Sequence, residues 1–296
     1  MSQALLIVNP SSGDEKAKEY AKKVEEILGK QYESVRVKYT EKAGDATQFA
    51  REAARNRLEA IFVMGGDGTV NEGVSGIAEE AYRPDFSFIP LGTVNDLGRA
   101  LGISMNPEEA INQLHHLKKK KLDVGKVNDS YFIDVVAVGV IPEAVSNVDP
   151  AKKTRFGPLA YFLEGAKAVG ENKSYTFDFT IDGERFIEKS MLILISLANS
   201  VGGFEKLVPQ AKVDDGKLHL TVVKGEKLAD KLKLLPKIFS GEITKDEQII
   251  YRAFEIGKIF VQGSIELAAN VDGDEGDLLP LELKVLPQHI TVLVPE

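Results

Sequence analysis

Residues 64–73 read MGGDGTVNEG, and half of that stretch returns almost unchanged further on. Gly68-Thr-Val-Asn-Glu72 is echoed by Gly92-Thr-Val-Asn-Asp96. Each copy follows a short apolar run, Ile61–Met64 and Phe86–Ile89, with the character of a buried strand. Val70, Val74, Ile77 and Ala78 then mark a helix after the first copy, and a short helix is expected after Gly92. Glycines between a strand and a helix permit positive φ and let a ligand approach the backbone. Thr69 and Asn71 are candidates to cap the helix, whose free N–H groups attract anions, phosphate above all. A tight turn whose glycines serve geometry alone would use the same letters.

Outward from this stretch the first third of the chain alternates. Ala4–Val8 and Val35–Tyr39 read as strands. Asp14–Leu28, with Ala17, Ala21, Val24, Ile27 and Leu28, and Asp45–Arg57, with Phe49, Ala50 and Ala53, carry helical spacing. Strands alternating with helices imply a parallel sheet with helices on its faces. The pattern changes near Leu122. Long alternating runs follow at Tyr131–Val138, Tyr175–Ile181, Phe186–Leu197, Leu218–Val223 and Ile249–Phe254. Asp182-Gly183 between two of them signals a hairpin. Only Leu159–Val169 and Leu228–Phe239 look helical there. The expected fold is an α/β N-terminal domain with a parallel sheet, followed by a mostly antiparallel β-rich domain. No other repeat and no low-complexity linker stands out.

The 296 residues, 43% hydrophobic, suit one large or two medium domains. No apolar stretch reaches the ~18 residues of a spanning helix. The N-terminal MSQALLIVNP lacks a basic leader and reads as a first strand. The absence of cysteine excludes disulfide and thiol chemistry and fits a cytoplasmic protein. A net charge of −8 argues against a nucleic-acid partner.

The phosphate ligand can be narrowed. There is no Gly-Lys-[Ser/Thr], so the turn is not a P-loop. Gly66-x-Gly68 is followed by Asn71 at the third position of the dinucleotide fingerprint, which weakens that reading. In a parallel sheet both Gly-Thr-Val-Asn turns open at the carboxyl ends of strands and can face each other across one crevice. Asn9-Pro-Ser-Ser-Gly13, after the first strand, would add a third anion-binding turn. Asp67, Glu72 and Asp96 would repel phosphate unless a cation or sugar hydroxyl lay between. A nucleotide with Mg²⁺ therefore fits better than bare phosphate.

GGDGTVNE, PLGTVND-x-x-R (Pro90–Arg99) and NPSSG (Asn9–Gly13) together resemble the soluble diacylglycerol kinase and lipid kinase family. The resemblance continues through Gly202-Gly-Phe and Pro209-Gln-Ala-x-x-x-Asp-Asp-Gly216 to Val271-Asp-Gly-Asp274 and covers essentially the whole chain. GGDGT alone is shared with NAD kinases and phosphofructokinases; the ordered set is far more specific. The resemblance implies an ATP-binding domain of residues 1–122 and a β-rich lipid-binding domain of residues 123–286. Residues 287–296 would return to the first domain, with His289–Pro295 as the returning strand. The acceptor site would lie in the cleft between the domains. ATP would be held by Asn9, Pro10, Ser11, Ser12, Gly13, Thr40, Gly66, Asp67, Gly68, Thr69, Val70, Asn71, Glu72 and Thr93, with Asp96 beside them. Relatives take their catalytic base from Asp-Gly-Glu; this chain departs from that with Asp272-Gly273-Asp274-Glu275. Either Asp272 or Asp274 would accept the proton of the lipid hydroxyl, with Asp272 favoured because its identity matches the family. The residues alone read as a polar hairpin turn. The resemblance also implies a second Mg²⁺ on the Asp215 carboxylate and the carbonyls of Lys212 and Lys217, linked through water to Asp123. Asp214-Asp215-Gly216 by itself again reads as a hairpin turn.

The remaining polar features say less. Lys118–Lys121 and Lys224–Lys237, the latter with Leu228, Leu232, Leu235 and Ile238, would suit an anionic membrane surface or simply a solvated helix face. His115, His116, His219 and His289 lack metal-ligand spacing. The expectation is an ATP- and Mg²⁺-dependent kinase for a lipid hydroxyl, most simply diacylglycerol to phosphatidic acid. It would be cytoplasmic and peripheral to the inner face of the membrane, with a lipid substrate, no nucleic acid, and a homodimer left open. Rival readings are another acceptor (a sphingoid base, phosphatidylglycerol or NAD) and a regulatory nucleotide- or lipid-binding protein without catalysis.

Overall fold

The computed structural model describes residues 2–13, 16–139, 174–200, 208–224 and 247–296. The helices expected at Leu159–Val169 and Leu228–Phe239, the Gly202-Gly-Phe motif, and the basic run beyond Lys224 lie outside the described residues. The chain divides into two compact units, Met1–Val124 with Pro287–Glu296, and Gly125–Leu286.

In the first unit β1 (Gln3–Val8), β2 (Ser34–Tyr39), β3 (Ala60–Gly65) and β4 (Asp85–Pro90) alternate with α1 (Ala17–Leu28), α2 (Asp45–Arg55) and α3 (Asp67–Ala78). Two shorter helices follow, α4 (Asp96–Ala100) and α5 (Pro107–Gln113). The strands pair in parallel in the order β2-β1-β3-β4. Beyond β4 lies the C-terminal part of β15 (Leu281–Pro295), where Val292 pairs in parallel with Phe86. Every residue of β3 and nearly all of β1 and β4 are buried, as required of strands covered on both faces. β2 sits at the edge and stays partly exposed. The helices close the core with the apolar residues their spacing predicted: Ala17, Ala21, Val24, Ile27 and Leu28 on α1, and Val70, Val74, Ile77 and Ala78 on α3.

The second unit is antiparallel. It contains β6 (Ser130–Phe132), β7 (Val135–Gly139), β8 (Tyr175–Ile181), β9 (Glu184–Ser196), β10 (Leu218–Lys224), β11 (Ile249–Phe254), β12 (Ile256–Val261), β13 (Ala268–Val271) and β14 (Asp274–Leu278). β5 (Leu117–Val127) begins in the first unit and ends in the second, and β15 runs the other way. The path is β14-β13-β7-β9-β8-β12-β15, and β10 lies between β9 and β11. Asp182 and Gly183, at φ 48° and 85°, form the tight turn expected between β8 and β9. One face of these strands builds a core around Phe177, Phe179, Ile193, Ile195, Leu220, Phe254 and Leu283.

Four readings of local structure change. The single strand expected over Tyr131–Val138 is two, broken at Ile133-Asp134, because the Asp272 carboxylate takes the backbone N–H groups there. The basic run Lys118–Lys121 is no helix face but the first half of β5, with Lys119 ion-paired to Asp85 at 2.8 Å and Lys121 donating to Thr291 at 3.0 Å. The returning strand starts eight residues earlier than His289, at Leu281. β12, β13, β14 and α5 lack apolar runs long enough to announce them and were not anticipated.

Candidate functional site

The strand order of the first unit reverses direction between β1 and β3, and ligands of such sheets bind outside the carboxyl ends of the strands at that point. The loops there are tied to one another. Asn9, just past β1, donates its side-chain amide to Thr69 Oγ1 at the start of α3, at 3.1 Å. The Asn9 Oδ1 in turn accepts from the N–H and hydroxyl of Ser11, both at 3.1 Å, which shapes the Asn9–Gly13 turn. Gly13, at φ 67°, donates to the Leu91 carbonyl after β4. Thr40, past β2, donates to the Val8 carbonyl.

The two Gly-Thr-Val-Asn copies meet at their glycines. A Cβ on Gly92 would stand 2.7 Å from the Gly66 Cα, and one on Gly66 would stand 3.2 Å from the Gly92 Cα. Neither backbone can yield, so close approach is what requires glycine here. Positive φ is not: Gly65, Gly66 and Gly68 are all absent from the residues with positive φ, which corrects that part of the sequence argument. Thr69 and Asn71 do not cap α3 either. The helix begins at Asp67, so both lie inside it, and the N-cap Gly66 leaves the first turn without a side-chain cap. Apart from the Asp67 N–H, which bonds its own carboxylate, its first N–H groups are open to an anion.

The carboxylates that suggested a cation have other work. Asp67 accepts from the N–H of Asn95 at 2.8 Å and of Asp96 at 3.0 Å, capping α4 across the gap between the two loops. Burial pushes its carboxyl above the usual range, against the pull of the Asn95 N–H, and the charge of Asp96 adds to the rise. Glu72 accepts from Gly44 at 2.9 Å and Ala46 at 3.2 Å, so it caps α2. Asp96 is buried in the first turn of α4. Thr93 and Val70 complete the two loops. Asp123 is wholly buried in β5 and accepts from the Gln288 N–H at 2.6 Å, which fastens the returning strand β15.

In the second unit Asp272 and Gly273, at φ 49° and 97°, make the turn between β13 and β14. The Asp272 carboxylate accepts from the N–H groups of Ile133 at 2.8 Å, Asp134 at 3.1 Å and Val135 at 2.8 Å. Both of its oxygens are thereby engaged. Asp274 and Glu275 follow on β14 and are exposed.

The Asp215 loop lies just before β10. Lys212 N–H donates to its Oδ2 and Lys217 N–H to its Oδ1, each at 3.0 Å. His219, which the sequence reading set aside, brings Nε2 to 3.1 Å from the same Oδ2, and its Nδ1 lies 2.7 Å from the Tyr251 hydroxyl. Burial works against the Asp215 anion, but His219 and the two N–H groups outweigh it and hold the carboxyl below its usual range. Burial raises the Tyr251 phenol, and the nearby Asp215 charge adds to the shift. A strand-facing histidine four residues after an aspartate was the available signal; metal-ligand spacing was the wrong filter for it. Mg²⁺ fits this donor set. A carboxylate has about four acceptor positions, and three are used, so one remains on Oδ1. Loop carbonyls and water would supply the rest, as is usual for Mg²⁺.

Known proteins match this architecture throughout. Residues 3–127 match the diacylglycerol kinase catalytic domain, and residues 134–294 match the YegS C-terminal NAD kinase beta sandwich-like domain. A diacylglycerol kinase of Bacillus subtilis (strain 168) is 36% identical over 300 residues, covering 100% of this chain and 97% of its own. One of Staphylococcus carnosus (strain TM300) is 36% identical over 294 residues, covering 99% of this chain and 95% of its own. The crystal structure of a diacylglycerol kinase from Bacillus anthracis superposes with a TM-score of 0.78 at 25% identity, over 99% of this chain and 97% of that one. With a parallel α/β unit whose glycine loops converge, an antiparallel second unit, and full-length relatives of this identity, the chain belongs to the diacylglycerol kinase family of lipid kinases.

Proposed function

We propose that this protein transfers the γ-phosphoryl group of ATP to the hydroxyl of a lipid, with diacylglycerol as acceptor and phosphatidic acid as product. The observation that carries the reading is the meeting of the Asn9, Gly66 and Gly92 loops at the carboxyl ends of β1, β3 and β4, beside the uncapped first turn of α3. Backbone N–H groups there suit the phosphates of ATP, and the glycines let the two loops close on each other. Mg²⁺ would neutralise charge developing on the phosphoryl oxygens. Catalysis is otherwise positioning, and the chain must still take the proton from the acceptor hydroxyl.

For that proton we favour Asp274 over Asp272. A general base needs an acceptor position within hydrogen-bond reach of the hydroxyl. Three backbone N–H groups leave the Asp272 carboxylate at most one acceptor position and fix it in the turn, whereas Asp274 is exposed on the adjoining strand. Asp272 then holds the hairpin that presents Asp274. The lipid would be met at the inner membrane face by a peripheral protein. No helix among the described residues is long and apolar enough to cross a membrane.

Labelled ATP with micelles of diacylglycerol, phosphatidylglycerol and a sphingoid base, and with NAD as a soluble acceptor, tests the acceptor. Diacylglycerol is expected to take the label fastest; label on another acceptor alone overturns the assignment. Asp274→Asn should lower kcat by ~10²–10⁴-fold, with the melting temperature and the KM for ATP nearly unchanged. Asp272→Asn should lower the melting temperature as well. If Asp274→Asn turns over like the wild type, the base is not Asp274. Gly68→Val, in the first turn of α3, should abolish ATP binding in calorimetry while the fold survives.

A further inference from the structure

We propose that His219 and Tyr251 are positioning residues that set the Asp215 carboxylate for Mg²⁺. The inference rests on the reading of Asp215 as a metal ligand and adds two residues to that site. With His219 neutral, one hydrogen-bond order satisfies all three side chains. The Tyr251 O–H donates to Nδ1 of a neutral His219, and Nε2–H donates to Asp215 Oδ2. This fixes the tautomer and fills Oδ2, which already accepts from Lys212 N–H. The position left open is on Oδ1, beside the Lys217 N–H.

The two backbone donors belong to the same loop as Asp215 and move with it. His219 does not. It is locked in β10 between Ser196 of β9 and Ala253 of β11, and its side chain is only 3% exposed. Tyr251 lies on β11 with its ring nearly parallel to the imidazole, at a centroid distance of 6.0 Å. The orientation of the carboxylate is thus referred to three paired strands rather than to its own loop. Partners of this kind, one bond removed from the metal, orient the ligand and tune its affinity.

A second observation comes from the same sheet face. Ser196 Oγ and Thr221 Oγ1 are buried and have no hydrogen-bond partner among the described residues. Ser196 stands directly opposite His219, and Thr221 is opposite Tyr251. Unpaired buried hydroxyls call for a water or a polar ligand, and Mg²⁺ characteristically keeps several waters of its own.

The test uses the full-length protein stripped with a chelator and titrated with MgCl₂ alone, without ATP, in a calorimeter. Wild type is expected to bind and Asp215→Ala to lose binding. His219→Ala should weaken Mg²⁺ affinity by ~10–100-fold, and Tyr251→Phe should weaken it less. ATP affinity should not change in either. His219→Gln, whose side-chain N–H can still donate to the carboxylate, should recover much of the loss. A folded His219→Ala that binds Mg²⁺ like wild type overturns the positioning role while leaving Asp215 as ligand. Unchanged binding in Asp215→Ala removes the metal reading itself, and the proposal with it. Should His219→Ala fail to fold, Tyr251→Phe decides: wild-type affinity there counts against the relay.

Discussion

Gly68-Thr-Val-Asn71 and Gly92-Thr-Val-Asn95 are the same four letters in two conformations. The first is helix, the opening turn of α3. The second is an irregular turn that ends at Asn95 with φ 53° before α4 begins. Asn71 sits inside a helix, whereas Asn95 folds back on its own loop, accepting from Gly92 N–H at 3.0 Å and donating to the Gly92 carbonyl at 2.7 Å. The residues before the two copies differ as well. Asp67 starts α3 and spends its carboxylate capping the helix that follows the other copy. Leu91, in the same place, is buried and bonds by its N–H to Gly65. The repeat is thus not two equal phosphate turns. One copy offers a helix terminus, and the other forms the wall against which it is held.

The largest test of this contrast replaces the matching glycines. Gly92→Ala would drive a methyl to within 2.7 Å of both the Gly66 Cα and Asn95 Oδ1, and should cost about 1–3 kcal/mol in urea unfolding. Gly68→Ala, inside a helix, should instead gain up to about 1 kcal/mol. Equal signs would mean that the copies are structurally alike after all.

Asp67→Ala removes the cap that joins the copies. A loss of about 1–2 kcal/mol is expected, with amide exchange speeding up in Asp96–Ala100 while the later turns of α3 stay protected. Uniform exchange through both helices would break the assignment. Among the asparagines, Asn95→Ala should cost about 1–2 kcal/mol, since a left-handed conformation penalises Cβ and two side-chain bonds disappear. Asn71→Ala should cost less, and Asn95→Gly should be milder than Asn95→Ala. The reverse order would deny the turn its special backbone.

The smallest effect is a pH dependence. Burial above all raises the Asp67 carboxyl in the fold, with Asp96 adding to it and the two N–H bonds resisting. A raised carboxyl contributes stability that is fully present below its unfolded value, about 3.9, and is lost as pH rises through the folded value. The gap between wild type and Asp67→Asn should therefore move in favour of wild type as pH falls from 7 towards 4. Urea midpoints at several pH values check the slope; a gap moving the other way would show that hydrogen bonding, not burial, dominates.

Much of the fold was legible because apolar spacing reports burial directly. Ala17, Ala21, Val24, Ile27 and Leu28 share one face as a helix, and Ile61–Met64, short and stopped by Gly65-Gly66, reads as a strand between two layers. β12 to β14 were not legible. Their residues face solvent on one side and include Lys258, Asp274 and Glu275, so no apolar run marks them. The break in Tyr131–Val138 was hidden for another reason: its cause, Asp272, is more than 130 residues away.

The sequence by itself determined the α/β-then-antiparallel order, the family, and the set of loops from which a nucleotide site would be built, because periodicity and motif are local properties. Only the tertiary structure decided what each polar side chain does. Asp67 and Glu72 became helix caps. Asp272 became a clamp on the start of β7. His219 became the strand-held partner of Asp215. A carboxylate's role depends on which donors lie about 3 Å away, and those donors come from elements that sequence proximity does not name.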